Sequence, residues 1–202
     1  MADYDSMLML QSNEKQGLDW DKKALDRESS VLIVAPHGGT IEPHTELIAT
    51  TIAGKEFKLF TFVGLRRKTA AGKWLHVTST NYEERDLSTL QRKAQIALSV
   101  HGAANRDAYD ERVTLIGGGN KAVRDLVWAR LEYYGFNVLQ APEGLDGSHK
   151  KNLVNRNGSK QDKPGVQLEI SRGEREALAD NPARLERYGK AVREVLLRLH
   201  EE

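Results

Sequence analysis

Val31-Leu-Ile-Val-Ala-Pro-His-Gly-Gly-Thr-Ile-Glu42 is the stretch on which the fold turns. Its apolar start, Val31–Ala35, is short and bounded by turn residues, which reads as a buried strand. The run empties into a glycine loop carrying His37 and Glu42, and Pro43 suits the first turn of a helix. A second apolar run, Gln95–Val100, also ends in a histidine, His101, followed by Gly102. Two strands that each deliver a histidine at the C-terminal end are what an open α/β sheet needs to build a site along its crest.

Outward from these two runs, strand and helix signals alternate. Helix Pro43–Ala53, strand Glu56–Val63, strand Leu75–Ser79 and a helix at about Ser88–Ala94 lie between them. Beyond come strand Val113–Ile116, helix Lys121–Tyr134, strand Phe136–Leu139, strand Gly165–Ser171 and helix Pro182–His200. The helix from Lys121 places Val123, Leu126, Val127 and Leu131 at helical spacing and stops at Gly135. This order predicts an α/β fold: an open mixed, largely parallel sheet flanked by helices. The stretch Gly144–Pro164 is long for a loop and locally basic, with His149, Lys150, Lys151, Arg156, Lys160 and Lys163. It reads either as a solvated surface loop or as a substrate-binding one.

A chain of 202 residues falls near the size of one domain. A single catalytic domain over 1–202 is expected, with 1–30 as a polar lead-in holding a short helical piece around Tyr4–Gln11. An apolar content of 39% and a charged content of 29% fit a globular chain. The formal charge of +1 names no partner by bulk electrostatics. The absence of cysteine excludes disulfides, thiolate zinc ligands and cysteine nucleophiles. Met1–Asn13 has neither the basic start nor the ~7–15-residue apolar run of a signal peptide, and nothing approaches the ~20 apolar residues of a membrane span. A cytoplasmic monomer without membrane attachment is the expectation, acting outside the cell only after lysis or by another route.

His37 and Glu42 lie five positions apart across Gly38-Gly39, not on one helical face. Each residue has a bland role available: Glu42 as a helix-dipole partner worth ~0.3–1 kcal/mol, His37 as a packed turn residue, His101 as a core histidine. Taken together, two strand-end imidazoles and a carboxylate form a three-ligand set for Zn2+, with a fourth position for water. Hydrolysis also needs a base. In Gly165-Val-Gln-Leu-Glu-Ile-Ser171, Glu169 alternates with apolar residues and is the candidate, the competing reading being an edge-strand glutamate facing water. Asn155-Arg156 offers a guanidinium fork for a carboxylate, with Arg106 in support. His76 in Leu75-His-Val-Thr-Ser-Thr80 is a candidate lining residue, and His44 is expected to face solvent. Gly117-Gly-Gly-Asn120 lacks the spacing and lysine of a P-loop and reads as a tight strand-to-helix turn.

Six elements in order carry a resemblance: His37-Gly-Gly-Thr-Ile-Glu-Pro43, Thr45-Glu-Leu-Ile-Ala49, Leu75-His-Val-Thr-Ser79, Ser99-Val-His-Gly102, Asn152-Leu-Val-Asn-Arg156 and Gly165-Val-Gln-Leu-Glu-Ile-Ser-Arg-Gly173. Together they resemble the poly-γ-glutamate hydrolases of bacteriophages and some bacteria, which are distantly similar to zinc carboxypeptidases. The resemblance runs from about Asp19 to the C-terminal helix, and its His-Gly-Gly-x-Ile-Glu-Pro element is the specific one. It implies zinc held by His37, Glu42 and His101, Glu169 in the base position, and a compact carboxypeptidase-type sheet. It also implies a substrate of glutamates joined through γ-amides. The chain departs from the pattern in the lysine-rich stretch Gly158–Pro164 and at His44, where a small residue is expected.

The mechanism this implies is metal-assisted amide hydrolysis, with Arg156, Arg106 and the lysines around Lys150 holding the polymer's carboxylates. A nearer alternative keeps the site and changes the substrate: a zinc amidase or deacylase acting on another peptide-like or N-acyl compound. A more distant one is a metal-free nucleic-acid-binding module using Arg66-Arg67-Lys68 and the Lys150–Lys163 loop. No aromatic residues interleave with those basic runs, so nucleic acid is not the expected partner.

Overall fold

The computed structural model describes residues 3–104 and 112–200. Helix α1 (Met7–Asn13) and strand β1 (Trp20–Leu25) precede β2 (Val31–Gly39), α2 (Thr45–Ala53) and β3 (Lys58–Gly64). A 3-10 turn at Ser79–Asn81 leads to α3 (Arg85–Lys93) and β4 (Ile96–Ala103). Then follow β5 (Thr114–Gly117), α4 (Lys121–Tyr133), β6 (Val138–Gln140), a 3-10 turn at Leu153–Asn155, β7 (Val166–Ser171), α5 (Arg172–Asp180) and α6 (Pro182–His200).

The strands form one seven-stranded sheet in the order β1-β3-β2-β4-β7-β5-β6. Its centre, β3-β2-β4-β7, is parallel, while β1 on β3 and β5 on β7 are antiparallel. Alternation along the strands sorts side chains into two cores, as a sheet covered on both faces requires. On one face Ile33, Leu98, Val100 and Leu168 meet Ile48, Ile52, Val127, Leu131, Tyr188 and Leu196 of α2, α4 and α6. On the other, Leu32, Val34, Phe60 and Phe62 meet Met7, Leu10, Leu75, Val77, Tyr82, Leu87, Leu90 and Leu153. Single-domain α/β architecture with a mixed, helix-flanked sheet is therefore what the alternating signals indicated. Among the described residues no helix is long and apolar enough to cross a membrane.

Three local expectations are corrected, and one reading that stood open is narrowed. Leu75–Ser79 is not a strand: residues 73–78 run irregularly, because Leu75 and Val77 pack as a cover over the sheet rather than hydrogen-bonding along it. Residues 1–30 are more than a polar lead-in, since β1 is the sheet's edge and Tyr4, Met7, Leu10 and Trp20 are core. Helix α2 begins at Thr45, two residues past Pro43, because His44 adopts the left-handed conformation (φ 74°). That backbone favours residues without a bulky side chain, which accounts for the small residue expected there. Stretch 144–164 is not merely solvated, as Leu153 and Val154 are fully buried within it. Helix α5 was not anticipated at all.

The connections fix where a site can form. From β2 the chain passes through α2 to β3 on one side, then through α3 to β4 on the other. The C-terminal ends of β2 and β4 thus flank a topological switch point, where open sheets leave a crevice.

Candidate metal centre

His37 reaches the crevice through an irregularity in β2. Simple alternation would turn it towards the α2 face together with Val31, Ile33 and Ala35. Between Ala35 (opposite Thr61) and Gly38 (opposite Val63), three steps on β2 match two on β3. This bulge inserts one residue and re-aims the strand end. The His37 ring consequently meets Tyr82 at 5.8 Å, His76 at 4.2 Å and His101 at 5.1 Å between centroids. Tyr82 donates its hydroxyl to Pro36 O at 2.9 Å, bracing the bulge.

The glycine turn folds Glu42 back onto the same point. Glu42 N donates to His37 O at 2.7 Å, and Thr45 Oγ1 donates to Glu42 O at 2.8 Å. The carboxylate then lies with Oε1 3.0 Å from His37 Nδ1, while Oε2 accepts the Gly102 N–H at 2.8 Å and stands 3.7 Å from His101 Nδ1. Behind it lies Arg175, buried on α5 and donating to Ile170 O, Pro43 O and Ala103 O. Sequence reasoning missed Arg175, because the only available signal was an amphipathic α5 and that helix was itself missed.

His101 and Glu169 are direct cross-strand partners on β4 and β7. Both are nearly buried, with Glu169 only 6% exposed. β7 lies between β4 and β5, so Glu169 is not an edge-strand residue. His37, Glu42, His76, His101 and Glu169 line one cavity of about 410 Å³ at the crest of the sheet.

The electrostatics of this cluster suit a cation. Burial lowers His101 to about 3 and His76 to about 4, so both imidazoles are neutral at neutral pH. Burial also works to lower His37, but the Glu42 charge and hydrogen bond raise it overall. Against burial, which would raise it, the His37 charge holds Glu42 at about 2. His37 Nε2 lies 2.8 Å from Val77 O, which can only accept, so that nitrogen carries a proton. The Nδ1 of a neutral His37 therefore offers a lone pair to the Glu42 carboxylate, and two acceptors 3.0 Å apart call for a proton or a metal ion between them. Donor atoms of His37, Glu42 and His76 all lie within 4.8 Å of one another. His101 Nε2 is buried without a hydrogen-bond partner among the described residues. A His/Glu/His group of this kind fits a divalent metal.

The substrate candidates are dispersed. His76 joins the central cluster. Asn155 is a structural staple, its carboxamide donating to Gly147 O and His149 O and accepting from Gly119 N and Gly165 N. The Gly118, Gly119 and Asn120 amides are likewise spent on Asp146 O, Asn155 Oδ1 and Gly165 O, as a tight turn requires. Arg156 does not line the central cavity. With Lys151 it lines two adjoining grooves of about 690 and 530 Å³, and Thr80 lines both the larger groove and the cavity. Arg106 lies outside the described residues.

Residues 4–196 match the model of a protein family described as poly-gamma-glutamate hydrolase. In Bacillus subtilis (strain 168), the SPbeta prophage-derived protein YoqZ is 32% identical over 174 residues, covering 85% of this chain and 60% of YoqZ. YndL of the same strain is 31% identical over 180 residues, covering 87% of this chain and 66% of YndL. The chain thus spans about 60–66% of the length of these two curated relatives. Among solved structures, a bacteriophage poly-gamma-glutamate hydrolase superposes with a TM-score of 0.87 at 27% identity, over 100% of this chain and 99% of that one. The zinc-free apo form of YndL superposes with a TM-score of 0.82 at 23% identity, over 99% and 100% of the two chains.

Proposed function

Because the chain belongs to the poly-gamma-glutamate hydrolase family, we propose that it is a zinc-dependent hydrolase cutting the γ-glutamyl amide bonds of poly-γ-glutamate. The observation that carries this reading is the convergence of His37, Glu42, His76 and His101 beside Glu169 in one crest cavity. The bacteriophage hydrolase of the same fold and the zinc-free naming of the YndL form support it.

His37, Glu42 and His101 would hold the metal. His101 Nδ1 and Glu42 Oε2 stand 3.7 Å apart, near enough to serve one ion together. His76 is then left to orient substrate. The clustering of His76 with His37 and Glu42 favours a second reading, in which His76 and His101 exchange these parts. Zinc content of His76→Ala and His101→Ala separates the two, since only loss of a ligand lowers the stoichiometry.

When bound, zinc supplies a Lewis acid that polarises an amide carbonyl and acidifies water. Glu169 takes the proton from the attacking water and delivers it to the departing amide nitrogen. Arg156 and Lys151 line the groove that meets the cavity at Thr80, and with Lys150 and Lys160 they line a second groove beside it, which suits a chain bearing one carboxylate per residue. Attraction of such a polymer weakens as salt rises.

Glu169→Gln tests the base: the variant keeps its zinc and loses cleavage of poly-γ-glutamate, followed as chain length on a gel. Full activity in this variant overturns the assignment. Chelation removes activity and zinc restores it; activity untouched by chelation overturns the metal reading. Cleavage of N-acyl amino acids but not of the polymer would favour the amidase alternative.

A further inference from the structure

Glu169 shares its strand face with Gln167, two positions earlier, and the two side chains are joined by a hydrogen bond. Gln167 is 4% exposed and its carboxamide is oriented by a chain of contacts. Val154 N donates to Asn152 Oδ1 at 3.0 Å, so Asn152 presents its Nδ2 to Gln167 Oε1, also at 3.0 Å. Gln167 Nε2 therefore faces the other way and donates both to Leu145 O and to Glu169 Oε1, each at 3.0 Å. Three separate contacts agree on this orientation, and the reversed amide would set its oxygen against two acceptors. The packing leaves little freedom besides. A Cβ on Gly147 would lie 2.6 Å from Gln167 Oε1, so a glycine is needed where the loop closes over the amide.

We propose that Gln167 is the positioning residue for the catalytic Glu169, holding the carboxylate in the plane and rotamer from which it reaches the attacking water. The inference rests on the reading of Glu169 as the base. A glutamate has several rotatable bonds, and on a strand only its neighbours fix them. An N–H donor aimed at one carboxylate oxygen restrains the orientation of the group. The chain Val154–Asn152–Gln167–Glu169 also ties the base to the 3-10 turn at Leu153–Asn155, which is anchored in the core through Leu153 and Val154.

The test is Gln167→Met, which keeps the length of the side chain and removes the donor. Misplacing a reacting group by about 1 Å costs on the order of 100-fold, so kcat is expected to fall about 10–100-fold. Zinc stoichiometry stays at the wild-type value, and KM for poly-γ-glutamate stays within about twofold because Gln167 Nε2 is spent on Leu145 O and Glu169 Oε1 rather than on substrate. In a Glu169→Asp background the shortened carboxylate no longer reaches the amide, so the same substitution lowers kcat by less than about threefold. Wild-type kcat in Gln167→Met, an equal fall in both backgrounds, or loss of zinc overturns the proposal. Should Gln167→Met fail to fold, Asn152→Ala leaves Gln167 whole but removes one contact that orients it. A fall in kcat at constant KM is expected there too, and unchanged kcat overturns the proposal. Failure of the base reading itself is distinguished by an active Glu169→Gln enzyme.

Discussion

Replacing Gly102 with alanine should damage the metal centre without touching a ligand. Gly102 carries no positive φ, so the substitution is a question of space alone. An added Cβ would stand 2.7 Å from Arg175 Cζ, 2.9 Å from Arg175 Nε and 2.9 Å from Glu42 Cβ, whereas carbon contacts are comfortable at about 3.5–4.0 Å. Something must move by most of an ångström. The Arg175 guanidinium must move against its hydrogen bonds to three backbone carbonyls, and Glu42 must shift as well, since its Cβ is equally crowded. Overpacking costs about 1–3 kcal/mol, and the entropy removed from the unfolded chain returns roughly 0.4–1 kcal/mol. A net loss of about 1–2 kcal/mol lowers Tm by roughly 2–8 °C in a chain of this size. The larger effect is on zinc, because the Glu42 oxygens are displaced from His37 and His101. Thermal unfolding of the metal-free protein reads the first effect, and titration against a chromophoric chelator reads the second. A Gly102→Ala protein with wild-type Tm and zinc affinity would refute both the packing argument and the place of Glu42 in the site.

Asn155→Ala strands three backbone groups, Gly119 N, Gly147 O and Gly165 N, while His149 O keeps the Asn152 N–H. A stability loss of about 2–4 kcal/mol is expected from urea unfolding, and a fully stable variant with raised KM would make Asn155 a substrate residue instead. The metal-free protein should also be acid-sensitive. Burial holds His76 near 4 and His101 near 3, below the ordinary histidine value of 6.5, so the unfolded state binds more protons and stability falls as pH drops from 6.5 towards those values. The slope approaches roughly 1.4 kcal/mol per pH unit for each histidine. His37, whose pKa is raised, contributes stability that is fully present below 6.5 and lost as pH rises through its folded value, so it does not offset this slope. Denaturant midpoints that stay flat between pH 6.5 and 4 would contradict the burial of His76 and His101. Zinc should raise Tm at pH 7 in proportion to the logarithm of its concentration, and no rise would count against a preformed site.

The amino-acid sequence by itself determined what is local. Apolar runs of strand length, helical spacing from Lys121 and the glycine stop at Gly135 fix most elements because these signals depend on near neighbours. The two strand-end histidines could be read from the chain for the same reason. Tertiary structure decided which way those residues face and what they meet. Period-two alternation sends His37 to the wrong face, and only pairing with β3 reveals the bulge that brings it back. Leu75–Ser79 has strand-like alternation but no strand to pair with, so His76 arrives on an irregular cover instead. Glu169 reads equally as an edge or an interior residue until β5 is seen on its far side. The parts of Arg175 and Gln167 are not legible in the amphipathic pattern of α5 or the alternation of β7, since they come from carbonyls and a carboxylate brought close by the fold. Local chemistry is written in neighbouring residues, but a site is made of distances between residues far apart in the chain, and those exist only once the sheet has assembled.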